Sequence, residues 1–70
     1  MRDSEYLIKI GKNITRIRKE QGLTIKELGL NCDIEKSNLV PIEKGRINVT
    51  ILTLGKICKA LNVELKELIN

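Results

Sequence analysis

Five basic side chains, Lys9, Lys12, Arg16, Arg18 and Lys19, fall between positions 9 and 19 with no acid among them. Such a run can neutralise phosphates, but taken alone it reads first as the solvated face of a helix. The whole chain carries 13 Lys and Arg against nine Asp and Glu, a net charge of +4, so placement says more than the sum. Thiol chemistry is the other possibility the residue types raise. Cys32 and Cys58 are far apart, outside any Cys-x-x-Cys spacing, and the chain has no His. Both read as small core or boundary residues, and neither a zinc site, a Cys-His nucleophile nor any cofactor is expected. No acid, base or nucleophile is spaced with catalytic logic, so an enzyme is the least expected class.

Any element that positions these groups must be built on little material. The chain has 70 residues, with no Phe, no Trp and one Tyr, so its core must come from Leu, Ile, Val and a few small residues. That length sits near the lower limit for one unaided core, and residues 1–70 read as a single domain. Arg2, Asp3, Glu5 and Lys9 interrupt the first ten positions, and no apolar run approaches the ~18 residues of a membrane span. A secretory signal and a membrane anchor are therefore not expected, and the cytoplasm is the expected location.

Helical periodicity is the dominant pattern. Leu7, Ile10, Ile14 and Ile17 recur at spacings of three and four, with Lys12, Arg16 and Lys19 off the stripe. A first helix is predicted over about 4–21, stopped by Gly22. Thr24 and Glu27 then have capping-box spacing, with Leu23 and Leu28 placed as a hydrophobic staple around them. The same staple spacing recurs at Ile34/Leu39, Val49/Leu54 and Val63/Leu68, which implies N-caps at Glu35, Thr50 and Glu64. Thr is a good cap and Glu a weaker one. The remaining helices are predicted at about 24–31, 35–44, 50–61 and 64–69, and nothing alternates with the period of a strand.

Helices 2 and 3 are separated only by Cys32-Asp33-Ile34, a connection suited to a helix-turn-helix. Within it Leu28, Ile34, Leu39 and Ile42 supply apolar groups, Gly29 leaves room for the third helix, and Asp33 tolerates the left-handed backbone of the turn. Arg18-x-x-x-Gly22-Leu23-Thr24-x-x-Glu27-Leu28, Ile42-Glu43-Lys44-Gly45 and Leu54-x-x-Ile57-x-x-Ala60-Leu61-x-Val63-x-x-x-x-Leu68 extend the pattern over about 60 residues. In that order and spacing the chain resembles the Cro/CI repressor (XRE) family. The resemblance implies a compact, all-α, five-helix lambda-repressor-like domain whose third helix reads the major groove of double-stranded DNA.

The resemblance also implies residue roles. Lys36, Ser37 and Asn38 match positions that face base edges; Lys suits guanine O6 and N7, Asn suits adenine N6 and N7, and Ser is permissive. Thr24, Lys44, Arg46, Asn48 and Thr50 match positions that meet phosphate. Arg18 and Glu43 match an ion pair joining helix 1 to the end of helix 3, a structural role, and Gly45 reads as the C-cap of that helix. Asp33 stands where the family usually has Gly, a mild departure, and two further departures bear on function. Ile25 replaces a common Gln, and Pro41 lies inside helix 3, which is expected to kink or finish early.

The function this implies is a sequence-specific transcription regulator that binds an inverted repeat as a homodimer. Controller proteins of restriction-modification systems and short phage repressors are the family members of this size. No ligand-sensing domain is expected, so regulation by the protein's own concentration is favoured over a small-molecule effector. Leu65, Leu68 and Ile69 crowd a six-residue terminal helix that is not expected to hide all three, and they are assigned to the dimer interface. The alternative is a protein-interaction or antitoxin-like module on the same fold with weakened base reading, which Ile25 and Pro41 support.

Overall fold

The computed structural model describes residues 2–70, and these form five helices without a strand. They are α1 (Asp3–Glu20), α2 (Ile25–Cys32), α3 (Lys36–Glu43), α4 (Ile51–Leu61) and α5 (Leu65–Ile69). Thr24, Glu35, Thr50 and Glu64 occupy the N-caps of α2 to α5. At Thr24 the capping box closes in both directions: the hydroxyl accepts the Glu27 N–H at 3.0 Å, and the Glu27 carboxylate accepts the Thr24 N–H at 2.9 Å.

The helix ends follow one rule. Gly22, Asp33, Gly45 and Asn62 all take left-handed backbone, with φ of 72°, 57°, 69° and 57°. The N–H of the following residue then reaches back to a carbonyl five positions earlier: Leu23 to Arg18, Ile34 to Gly29, Arg46 to Pro41 and Val63 to Cys58, at 2.9–3.1 Å. This is the Schellman closure, which satisfies carbonyls that a helix end otherwise leaves bare. In three of the four turns the next residue is already the N-cap of the following helix, so Leu23, Ile34 and Val63 each serve both as the apolar end of one helix and as the staple of the next. The α3–α4 connection alone is longer, inserting Ile47-Asn48-Val49 before the Thr50 cap.

Ile14, Ile17, Leu28, Leu39, Ile42, Leu54, Ile57, Leu61 and Leu68, together with Cys32 and Cys58, make one buried cluster, with Ile10, Leu23, Ile34 and Leu65 packed partly against it. α1 packs on α3 and α5, and α2 packs on α3 and α4. Two side-chain amides, one inside α1 and one at its C-cap, tie down the ends of other helices. Asn13 donates to the carbonyls of Leu68 and Asn70 at 2.7 and 3.1 Å, and Gln21 donates to that of Leu61 at 2.7 Å.

Those contacts correct one expectation. Leu68 is 0% exposed, so it belongs to the core of its own domain and is not a dimer-interface residue. The reason is that α1 covers α5 along the Asn13 side, shelter that a reading of α5 by itself leaves out. Ile69 remains exposed and Leu65 half-buried. α3, for its part, continues through Pro41 and ends two residues later at Glu43. No helix is long and apolar enough to cross a membrane among the described residues.

Candidate nucleic-acid interface

α3 divides into two parts. Lys36, Ser37 and Asn38 form its first turn and are all exposed, whereas Leu39 and Ile42 are buried. The two inward residues are three apart, so one stripe of the helix faces the core and the preceding turn is left free to present polar groups. Close packing permits this. A Cβ added at Gly29 would lie 2.5 Å from the Ile34 carbonyl oxygen, so only glycine lets α2 come this near the turn into α3.

The far end of α3 is clamped. Arg18 grips Glu43 with two parallel bonds, Nε to Oε2 at 2.7 Å and Nη2 to Oε1 at 3.1 Å, and its remaining Nη1 donates to the Leu23 carbonyl at 2.8 Å. The two side chains are only 12% and 7% exposed, and such a bidentate pair fixes orientation as well as charge. The Thr15 hydroxyl lies 2.8 Å from Glu43 Oε1 and 3.0 Å from the Gly11 carbonyl, and the charged oxygen is the stronger acceptor for its single proton. Gly11 itself faces the end of α3, where a Cβ would collide with the carbonyl oxygens of Ile42 and Glu43. Neither Gly11 nor Thr15 was singled out by type or spacing. A glycine inside a helical stripe is the signal that could have marked the first, because it weakens a helix and so implies a packing reason.

The candidate phosphate groups lie on other segments, and one of them, Asn48, lines a surface groove together with Asn38. Lys44, Arg46 and Asn48 are exposed on the α3–α4 connection, and Gly45 holds that connection in place. Its left-handed φ suits glycine, and a Cβ would lie 2.6 Å from the Ile8 Cα. Thr24 and Thr50 sit at the starts of α2 and α4. The Thr24 hydroxyl accepts the Glu27 N–H at 3.0 Å, and that of Thr50 accepts the Thr53 N–H at 3.2 Å and shares a further bond with Thr53 Oγ1 at 2.9 Å. Ahead of the capped Glu27 and Thr53, the N–H groups of Ile25 and Lys26 in α2 and of Ile51 and Leu52 in α4 have no partner within their helices and can meet an anion directly.

The basic run of α1 does not form one patch. Arg18 is spent on Glu43, Arg16 pairs with Glu20 at 3.3 Å, and Lys9, Lys12 and Lys19 remain exposed. The Thr24 N–H, and then its hydroxyl, keep the Glu27 carboxyl below the ordinary carboxylate range. Burial pushes both thiols the other way, with Glu67 adding to the effect at Cys58, so each cysteine is a poor nucleophile.

A five-helix domain that offers the first turn of its third helix beside exposed basic and amide groups has the architecture of a DNA-binding helix-turn-helix protein. The helix-turn-helix family HTH_3 matches residues 14–68, and the chain belongs to that family of DNA-binding transcriptional regulators. It is similar to an uncharacterized HTH-type transcriptional regulator, y4dJ, of Sinorhizobium fredii, with 37% identity over 60 residues, 86% of this chain and 78% of the relative. It is also similar to control protein C.BamHI of Bacillus amyloliquefaciens, 31% identical over 61 residues, 86% of this chain and 75% of that protein. Among solved structures, the restriction-modification controller protein C.AhdI of Aeromonas hydrophila superposes with a TM-score of 0.86 at 29% identity, over 89% of this chain and 94% of that one.

Proposed function

We propose that this protein is a sequence-specific transcription regulator of the cytoplasm, without a catalytic step, that binds an inverted-repeat operator as a homodimer. The observation that carries the reading is the division of α3, with three exposed polar residues at its start and a buried, bidentate clamp at its end. Lys36, Ser37 and Asn38 read base edges in the major groove. Thr24, Lys44, Arg46, Asn48 and Thr50 meet phosphates around them. Ile69 and the half-buried Leu65 supply apolar surface for pairing through α5, and the two recognition helices then lie about 34 Å apart, one turn of DNA.

The roles are separable by experiment. Lys44→Ala and Arg46→Ala weaken binding to specific and random duplexes alike and flatten the salt dependence by about one counterion per subunit. Lys36→Ala and Ser37→Ala instead relax preference at particular base pairs in a mixed-sequence selection, by about 1–3 kcal/mol for a good bidentate contact. Equal losses on both kinds of DNA for all four variants would overturn the assignment. A second reading, a protein-interaction module, is favoured by Leu30 and Leu52, which are 74% and 78% exposed. Such a module shows almost no salt slope on random-sequence DNA, whereas a regulator shows a steep one.

A further inference from the structure

Glu35 stands at the N-cap of α3, the last residue before the three polar side chains of the first turn, yet it does no capping. Its side chain makes no hydrogen bond to the amides of the turn, and it takes part in no ion pair among the described residues. The other glutamate at an N-cap, Glu64, is engaged: Glu67 accepts its N–H at 2.8 Å, and its own carboxylate lies 3.4 Å from Lys66. At α3 the residue in the Glu67 position is Asn38, which closes no such box. Capping does not account for glutamate here, because Ser, Thr, Asp or Asn would cap better, and the dipole of the helix N-terminus favours Asp as much as Glu.

Position offers another account. Glu35 is exposed at the meeting of two surface grooves, one lined by Lys26 and Lys36, the other by Asn38 and Asn48. A carboxylate on this surface is repelled by phosphates and by every acceptor of the major groove. The only base donors there are the exocyclic amino groups, cytosine N4 and adenine N6, and Glu accepts from cytosine N4.

Resting on the DNA-binding reading above, we propose that Glu35 is a specificity-determining residue, accepting from a cytosine N4 amino group in the preferred site and disfavouring duplexes that present an acceptor at that place. The carboxylate therefore lowers affinity for random DNA while it selects one base.

Mixed-sequence selection, titration of a random duplex, and thermal melts of wild type, Glu35→Gln and Glu35→Asp test this. Wild type selects sites with cytosine fixed at one position of each half. Glu35→Gln, which removes the charge, loses that cytosine preference, on the order of ten-fold, and binds random duplex several-fold more tightly. Glu35→Asp keeps the charge, caps α3 better and withdraws the carboxylate by one methylene, so it melts no lower, loses the cytosine preference and stays weak on random duplex. If wild type selects a site but both variants select the same one with unchanged affinities, the inference about Glu35 is overturned and the DNA-binding reading stands. If wild type selects no sequence and shows no salt slope, that reading itself fails and the inference falls with it.

Discussion

The two ends of α3 are seven positions apart and built on opposite terms. At Glu43 every polar atom of the side chain is claimed, by Arg18 and Thr15, under a lid made possible by Gly11. At Lys36, Ser37 and Asn38 the side chains are exposed and bond to no other side chain among the described residues. A short helix has too little propensity to hold its own direction, and tertiary packing must supply it. Here the anchored end fixes the helix so that the other end can keep its hydrogen-bonding capacity for a partner. The contrast predicts that damage at the Glu43 end appears in stability first, and damage at the Lys36 end in recognition.

The largest break comes from Glu43→Ala. It leaves Arg18 nearly buried with no carboxylate, an uncompensated charge that costs about 3–5 kcal/mol, and in a domain of this size that lowers Tm by well over 10 °C. Replacing both partners, Arg18→Met with Glu43→Leu, removes the stranded charge along with the pair and recovers most of the loss. Urea denaturation of the two variants checks this. A Glu43→Ala protein within 1 kcal/mol of wild type would mean that the clamp is open in solution and that α3 is held by Leu39 and Ile42 alone.

Next in size is Gly11→Ala. One methyl group at this position meets the carbonyls that end α3, and backbone cannot yield as a flexible side chain would. The expected destabilisation is about 1–3 kcal/mol, even though alanine is the better helix former. Gly55 is the internal control: it lies in α4 with nothing near an added Cβ, so Gly55→Ala is expected to stabilise by up to ~1 kcal/mol. Melting the pair side by side separates packing from propensity, and the same sign for both would remove the steric account of the α1–α3 seam.

What the sequence disclosed and what it withheld divide along the same line. The N-caps at Thr24, Glu35, Thr50 and Glu64, and the left-handed turn at Asp33, are local devices whose partners lie within five residues, so spacing alone locates them. The roles of Asn13, Gln21 and Thr15 rest on partners 55, 40 and 28 positions away, and no spacing announces them. Leu68 was misplaced for that reason: its burial depends on α1, at the other end of the chain. The candidate interface is intermediate. Its position on α3 follows from the pattern of apolar residues, but the idleness of the Glu35 carboxylate is visible only when the neighbouring donors are in place.

Pro41 lies between the two ends and gives the smallest expected effect. It offers no N–H to the Ser37 carbonyl, yet α3 passes through it, because the Pro41 carbonyl accepts the Arg46 N–H at 2.9 Å and the closure at Gly45 secures the last turn from the other side. Ser37 is exposed, so water can meet its carbonyl, and the roughly 3 kcal/mol that proline costs in a helix interior is reduced. Pro41→Arg restores the backbone donor and is expected to raise stability by only about 1 kcal/mol. From a half-buried position the new guanidinium must extend outward, and if that direction is the groove, DNA affinity rises as well. Thermal melts and DNA titrations of this variant read the two effects separately. A stabilised protein with unchanged DNA affinity would confine base reading to the first turn, sharpening the division of α3. A destabilised one would show that the proline sets the path between Leu39 and Ile42, and the boundary between the two ends would then be a designed bend in the helix and not merely a tolerated residue.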